Sequence, residues 1–192
     1  MHATQSAQDL APGFAQPPLD AAACFRAALQ AMARPGTVHS AAPAGVPSGL
    51  SPAASALALT LLDHETPVWL APSVATETVR TWLAFHTGAP VTPRREDANF
   101  AIGPWDEMAP LAEFAVGTPE YPDRSATLIV EVADLGTTHR LTGPGIEDTA
   151  HLTHPDPAFA RANAALFPCG IDLFLTAGDR LAAIPRTTRV EG

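Results

Sequence analysis

Ser125-Ala126-Thr127-Leu128-Ile129-Val130-Glu131-Val132 is the stretch on which the fold turns. Its apolar middle is continuous rather than alternating, the pattern of a strand buried on both faces. Working outward, Ile171 to Thr176 reads as a second strand, and Ala177-Gly178-Asp179 turns it toward Leu181 to Ile184 as a hairpin. Val68-Trp69-Leu70 and Asn99 to Ile102 are shorter strand signals upstream.

Helical patterns lie between them. Phe25, Leu29 and Met32 recur at i, i+4 and i+7 after Asp20, a plausible N-cap, and Pro35-Gly36 stops that helix. Ala41 to Gly49 is a loop rich in Pro, Gly and Ala, after which Ser51-Pro52 opens a helix with Leu57, Ala58, Leu61 and Leu62 on its apolar face, ending near Asp63. A further amphipathic helix runs from Ser73 to His86 with Val79, Leu83 and Phe85, another from Pro104 through Phe114, and a last one from Asp156-Pro157 through Leu166. Helices alternate with strands in the first two thirds, and strand pairs dominate the last third. That order predicts an α/β domain with a mixed sheet and helices on its faces, residues 19–192, preceded by a flexible N-terminal arm over residues 1–18.

Composition narrows the chemistry. The chain has 192 residues, 46% hydrophobic and 16% charged, with a formal net charge of −9. No extended basic field exists to collect a phosphate backbone, so nucleic acid is not an expected partner. No apolar run approaches the ~20 residues that span a bilayer, and Met1 to Leu10 does not read as a signal peptide; a cytoplasmic protein is expected. Cys24 and Cys169 form no metal or redox spacing and read as small core or interface residues. All eleven basic side chains are arginine. Without a lysine amine there is no Schiff base to pyridoxal phosphate or to a carbonyl substrate, and no phosphate-loop or kinase lysine. Arginine can instead hold a carboxylate, phosphate or phosphonate in its planar fork.

Three arginine-bearing turns are candidate anion-binding or interface sites. Arg34 ends the first helix, where it either complements the helix dipole or meets an anion. Arg124 and Ser125 close the loop Gly117 to Ser125, where Asp123 and Arg124 either pair to fix the turn or face a ligand. Arg186, Thr187 and Thr188, followed by Arg189, have an oxyanion-binding composition that solvation of a surface turn would equally produce. Gly143-Pro144-Gly145-Ile146 is a tight turn rather than a dinucleotide fingerprint. His151 and His154 have H-x-x-H spacing without an evident third ligand, so no metal is expected; His86 reads as a partly buried, hydrogen-bonded histidine. No catalytic constellation assembles, and no cofactor is expected.

Taken in order, several segments resemble a known family. They are Phe25-Arg26 with Ala31-Met32-Ala33-Arg34-Pro35-Gly36, Ala56 to Asp63 with Glu65-Thr66-Pro67-Val68-Trp69, and Phe85-His86-Thr87-Gly88-Ala89-Pro90. The series continues with Gly117-Thr118, Pro122 to Thr127, Leu141 to Ile146, Asn163 to Asp172 and Ile184 to Thr188. Together these are similar to the H-subunit family of the bacterial carbon-phosphorus lyase core complex. Cys169 departs from the family pattern, which carries a basic residue before Gly-Ile-Asp. The resemblance implies a three-layer α/β/α sandwich like the large domain of pyridoxal phosphate-dependent transferases, without the cofactor. It also implies a homodimer in isolation and assembly with the G, I and J subunits, which make α-D-ribose 1-methylphosphonate 5-triphosphate from ATP and methylphosphonate. A structural role is then expected. The rival reading is an independent enzyme on a phosphorylated or carboxylated substrate, anchored by Arg34, Arg124 or Arg186 with His86 as base.

Overall fold

The computed structural model describes residues 12–43 and 45–191. Met1 to Leu10, which does not read as a signal peptide, and most of the residue 1–18 arm lie outside the described residues. Five α-helices occur among them: α1 Pro17–Ala33, α2 Pro52–Leu61, α3 Glu77–His86, the short α4 Trp105–Met108, and α5 Pro157–Ala164. Strands are β1 His39–Ser40, β2 Val68–Leu70, β3 Phe100–Pro104, β4 Thr127–Glu131, β5 His139–Thr142, β6 Ala150–Leu152, β7 Asp172–Ala177, β8 Arg180–Ile184 and β9 Arg189–Glu191.

Six strands form one mixed sheet in the order β1-β8-β7-β4-β3-β2, in which β2, β3, β4 and β7 are parallel while β8 and β1 run antiparallel to their neighbours. β4 sits at the middle, and Leu128, Ile129 and Val130 are all fully buried. Successive side chains point to opposite faces, so both faces of the sheet are covered there. Each such side chain contributes about 1.5–3 kcal/mol by leaving water.

The helix that covers this sheet is α2. Ala53 to Ala58 are buried all round, as expected of a helix with no polar face. Ser51 caps it as the sequence indicates, its hydroxyl accepting from the Ala54 N–H at 3.2 Å. The Ser51 N–H in turn donates to the Glu131 carboxylate at 2.6 Å, so the end of β4 sets a negative charge at the start of α2.

α1 starts four residues earlier than the Asp20 cap would place it, with Gln16 as its N-cap. Pro17 and Pro18 occupy its first turn, where no N–H is needed, and the Asp20 carboxylate reaches back to accept from the Gln16 N–H at 2.7 Å. Residues 17 and 18 are thus helical. Its core face also differs from the Phe25, Leu29, Met32 stripe. Cys24, Ala28 and Ala31 are buried, whereas Phe25 and Leu29 are 53% and 54% exposed. The reason is close approach: α1 lies on α2 and β8, both of which carry buried alanines in their core, and small side chains opposite small side chains bring the backbones together. Phe85 on α3 is likewise exposed, with Trp82 taking the buried position beside Val79 and Leu83.

The predicted helix from Pro104 to Phe114 is instead α4 followed by a 3-10 turn at Leu111–Glu113. Pro110, which lacks an N–H, separates the two.

A second, three-stranded sheet, β6-β5-β9, has no counterpart among the expected elements. It seats against the end of α1. Gly145 has φ +82°, and a Cβ there would lie 2.0 Å from the Ala33 carbonyl oxygen, so the Gly143 to Ile146 turn needs glycine on both counts. On the neighbouring strand end His154 is 2% exposed, ringed by Trp105 and Phe159. Its Nδ1 accepts from the Asp156 N–H at 2.8 Å, which leaves the proton on Nε2.

Burial, opposed by the nearby Asp156 carboxylate, lowers the His154 pKa from 6.5 to about 4. The folded state therefore keeps His154 neutral where the unfolded imidazole is already protonated. Stability from this group is complete above pH 6.5 and is lost as the pH falls toward about 4, a loss of about 3 kcal/mol at the acid end. Urea denaturation measured between pH 7 and 4 should show that loss, and His154→Gln should flatten the slope.

Candidate functional site

Of the candidate residues, the structure joins two, Arg186 and Ser125, into one node with Asp172. Arg186 follows β8, Asp172 begins β7, and Ser125 precedes β4, so all three meet at the end of the sheet where the parallel strands start. The Arg186 Nε donates to both Asp172 carboxylate oxygens, at 3.1 and 3.2 Å, and its Nη2 donates to the same carboxylate at 2.5 Å and to the Ser125 hydroxyl. Nη1 donates to the Pro122 carbonyl at 2.7 Å, and the Arg186 backbone N–H to Asp172 at 2.8 Å. The two charged side chains are 13% and 22% exposed. A planar fork with five fixed donors is used here on three chain segments at once, which an ammonium could not do. The node locks the loop entering β4 to the strand pair beyond it. Its guanidinium is consumed within the chain.

The other candidates do not join it as ligands would. Arg124 lies over the Tyr121 ring, 4.1 Å from its centroid, and makes no ion pair with Asp123. Arg34 is the exposed C-cap of α1, and its carbonyl accepts from the Thr37 hydroxyl at 2.8 Å. Thr187 is half-buried and lines a surface cavity, while Thr188 is buried with its hydroxyl unpartnered. His86 packs against Trp82 and Phe85, and the cavity it lines includes Gly13, Phe14, Pro17 and Leu59 but no arginine. The arginines and the histidine of the independent-enzyme reading are thus not gathered around one cavity.

His151 is exposed on β6 and His154 is buried, so the H-x-x-H pair does not converge. Among the described residues no group of three or more His, Cys, Asp or Glu is placed to hold a metal. Cys24 is in the core, where burial raises its thiol pKa, and Cys169 is half-buried. No helix among the described residues is long and apolar enough to cross a membrane.

Two residues of this region escape a sequence reading. Asp172 is quoted above only within a motif, and its partner lies 14 residues on. Asn163 on α5 is buried and clasps Ile171, donating to its carbonyl and accepting from its N–H, both at 2.8 Å. Asparagine in a helix pattern carries no local sign of such a clasp.

Arg186→Lys should keep the charge yet lose the fork, and Asp172→Asn should leave a largely buried guanidinium without its counter-charge. Each is expected to lower unfolding stability by about 2–4 kcal/mol, read as a shift of the denaturant midpoint.

Residues 12–191 match the profile of the family described as "Bacterial phosphonate metabolism protein (PhnH)". The chain is 41% identical over 197 residues to the "Alpha-D-ribose 1-methylphosphonate 5-triphosphate synthase subunit PhnH" of Rhizobium meliloti (strain 1021), covering 98% of each chain. It is 38% identical over 82 residues to the "Putative C-P lyase subunit protein HtxG" of Stutzerimonas stutzeri, covering 39% of this chain and 42% of that protein. With every described residue inside the profile and a relative matched over 98% of both chains, the chain belongs to the bacterial phosphonate metabolism protein family PhnH.

Proposed function

We propose that this chain is a subunit of an assembly that makes α-D-ribose 1-methylphosphonate 5-triphosphate in phosphonate breakdown, with a structural rather than a self-sufficient catalytic role. The single observation that carries the reading is the end-to-end match to a relative named as a synthase subunit. Two features agree with it. The chain has no lysine, and its best-formed arginine site, Arg186, serves the fold. Within the same reading the mixed sheet and its helices form a three-layer α/β/α sandwich akin to the large domain of pyridoxal phosphate-dependent transferases. The partners are the G, I and J subunits, and the setting is the cytoplasm.

In isolation the chain is proposed to pair with a second copy through α1. Phe25 and Leu29 stand exposed on that helix beside an apolar cleft of ≈ 460 Å³ that also takes in Met32, Leu61, Phe100 and Phe174. A two-fold contact uses one such patch twice, and about 1,200–2,000 Å² must be covered in total for a stable pair. Arg34 and Arg124 are left as rim residues of an interface.

The assembly reading is tested by reconstitution. The purified chain should turn over no ATP with methylphosphonate, whereas the full set of partners should lose product when this chain is withheld. Robust product from this chain alone would sink the reading. The self-contact is tested by light scattering: the wild-type chain should show twice its 20.0 kDa mass, and Phe25→Asp with Leu29→Asp should return it to a single chain with unchanged circular dichroism.

A further inference from the structure

The arginines divide by how they are used. Arg94, Arg95, Arg140 and Arg186 hold carboxylates, and Arg124 lies on Tyr121. Arg161 on α5 and Arg189 on β9 make no ion pair among the described residues, although both line one cavity of ≈ 380 Å³ between those elements. Arg189 and Ala164 also line an adjoining cavity of ≈ 400 Å³, whose wall includes Thr187 and Phe167. The carboxylate in the lining belongs to Glu191, and it is already held by Arg140 at 2.6 Å. Next to Arg189, the Thr188 hydroxyl is buried without a partner.

Two permanently charged forks share this cleft with no free counter-charge, in a chain whose net charge is −9. Both are exposed, so solvent screens them in the free protein, but an anion entering the cleft meets two forks at once, and planar guanidinium groups match tetrahedral oxyanions by paired hydrogen bonds. The openness of the lining to solvent and the exposed Phe167 ring, 67% accessible, leave room for the remainder of a small molecule.

We propose that the cleft between α5 and β9 binds the phosphoryl or phosphonyl group of a small multiply charged ligand, with Arg161 and Arg189 as its two forks. The choice of ligand class rests on the subunit reading above, because the product in the relative's name carries a phosphonate and a triphosphate on one ribose. Those two ends present the same chemistry to an arginine pair.

Calorimetric titration of the purified full chain at low ionic strength, with inorganic triphosphate and separately with methylphosphonate, tests the cleft. Saturable binding of at least one of them is expected, and the better-bound anion identifies which end of such a molecule the cleft takes. Arg161→Gln and Arg189→Gln should each weaken it by about tenfold or more, while Arg26→Gln, an exposed arginine on α1, should not. Equal weakening by Arg26→Gln would show bulk charge attraction and overturn the proposal, as would no saturable binding of either anion up to about 10 mM. The same variants mixed with the partner subunits separate the two readings. A wild-type chain that binds neither anion yet still assembles would overturn the cleft and spare the subunit reading.

Discussion

Burial of β4 on both faces is the constraint from which the rest of the molecule follows. A strand with Leu128, Ile129 and Val130 all out of water must have every backbone group paired in the ladder and an apolar layer on each side. β3 and β7 provide the ladder. α2 provides a covering so apolar that Ala53 through Ala58 have no solvent face, and α1 must then lie on α2 through small residues. The exposed Phe25 and Leu29 are thus a by-product of close packing in the core, left on the outside because the inside has room only for alanine and cysteine. What is surplus to the fold becomes available to a partner.

The elements with local signals were the legible ones. Ser51-Pro52 and Asp156-Pro157 each cap a helix by a bond made within three residues, and the β7–β8 hairpin turns through Gly178 at φ +60°. The central strand was plain because continuous apolar β-branched sequence is hard to place elsewhere. By contrast, the face of α1 was not legible: a stripe at i, i+4 and i+7 says that a helix is amphipathic but not whether large or small residues meet the core. β5, β6 and β9 have three or four residues of mixed polarity, such as His139-Arg140-Leu141-Thr142, and owe their pairing to Leu141, Leu152 and Val190 meeting under the sheet.

Site residues divide along the same line. Composition singles out arginine, yet an arginine in a turn reads the same whether its carboxylate partner is present or absent. Arg186 finds Asp172 across a strand pair, Arg140 finds Glu191 directly opposite it in the small sheet, and Arg189, on the same face of β9 as Glu191 but opposite Thr142, finds none among the described residues. That difference is made by register, which sequence spacing does not show. The loop from Gly117 to Ser125 illustrates a related point. It enters β4 at the start of the parallel strands, whereas open α/β sheets hold ligands beyond the strand ends. The parallel strands also succeed one another in a single direction, β2, β3, β4, β7, without the reversal that opens such a crevice.

The strand order has a further consequence for how the chain comes to be folded during synthesis. β1 lies at one edge of the sheet, and its sheet partner among the described residues is β8, with His39 opposite Leu181. α1 rests on β8 as well. α1 and β1 therefore emerge from the ribosome about 140 residues before the strand they dock on, and at ordinary elongation speeds that is a wait of roughly ten seconds. Throughout it the part of α1 that rests on β8 is uncovered alongside Phe25 and Leu29, although α2 follows at once to cover the rest, so the nascent α1 is a segment for a chaperone to shield.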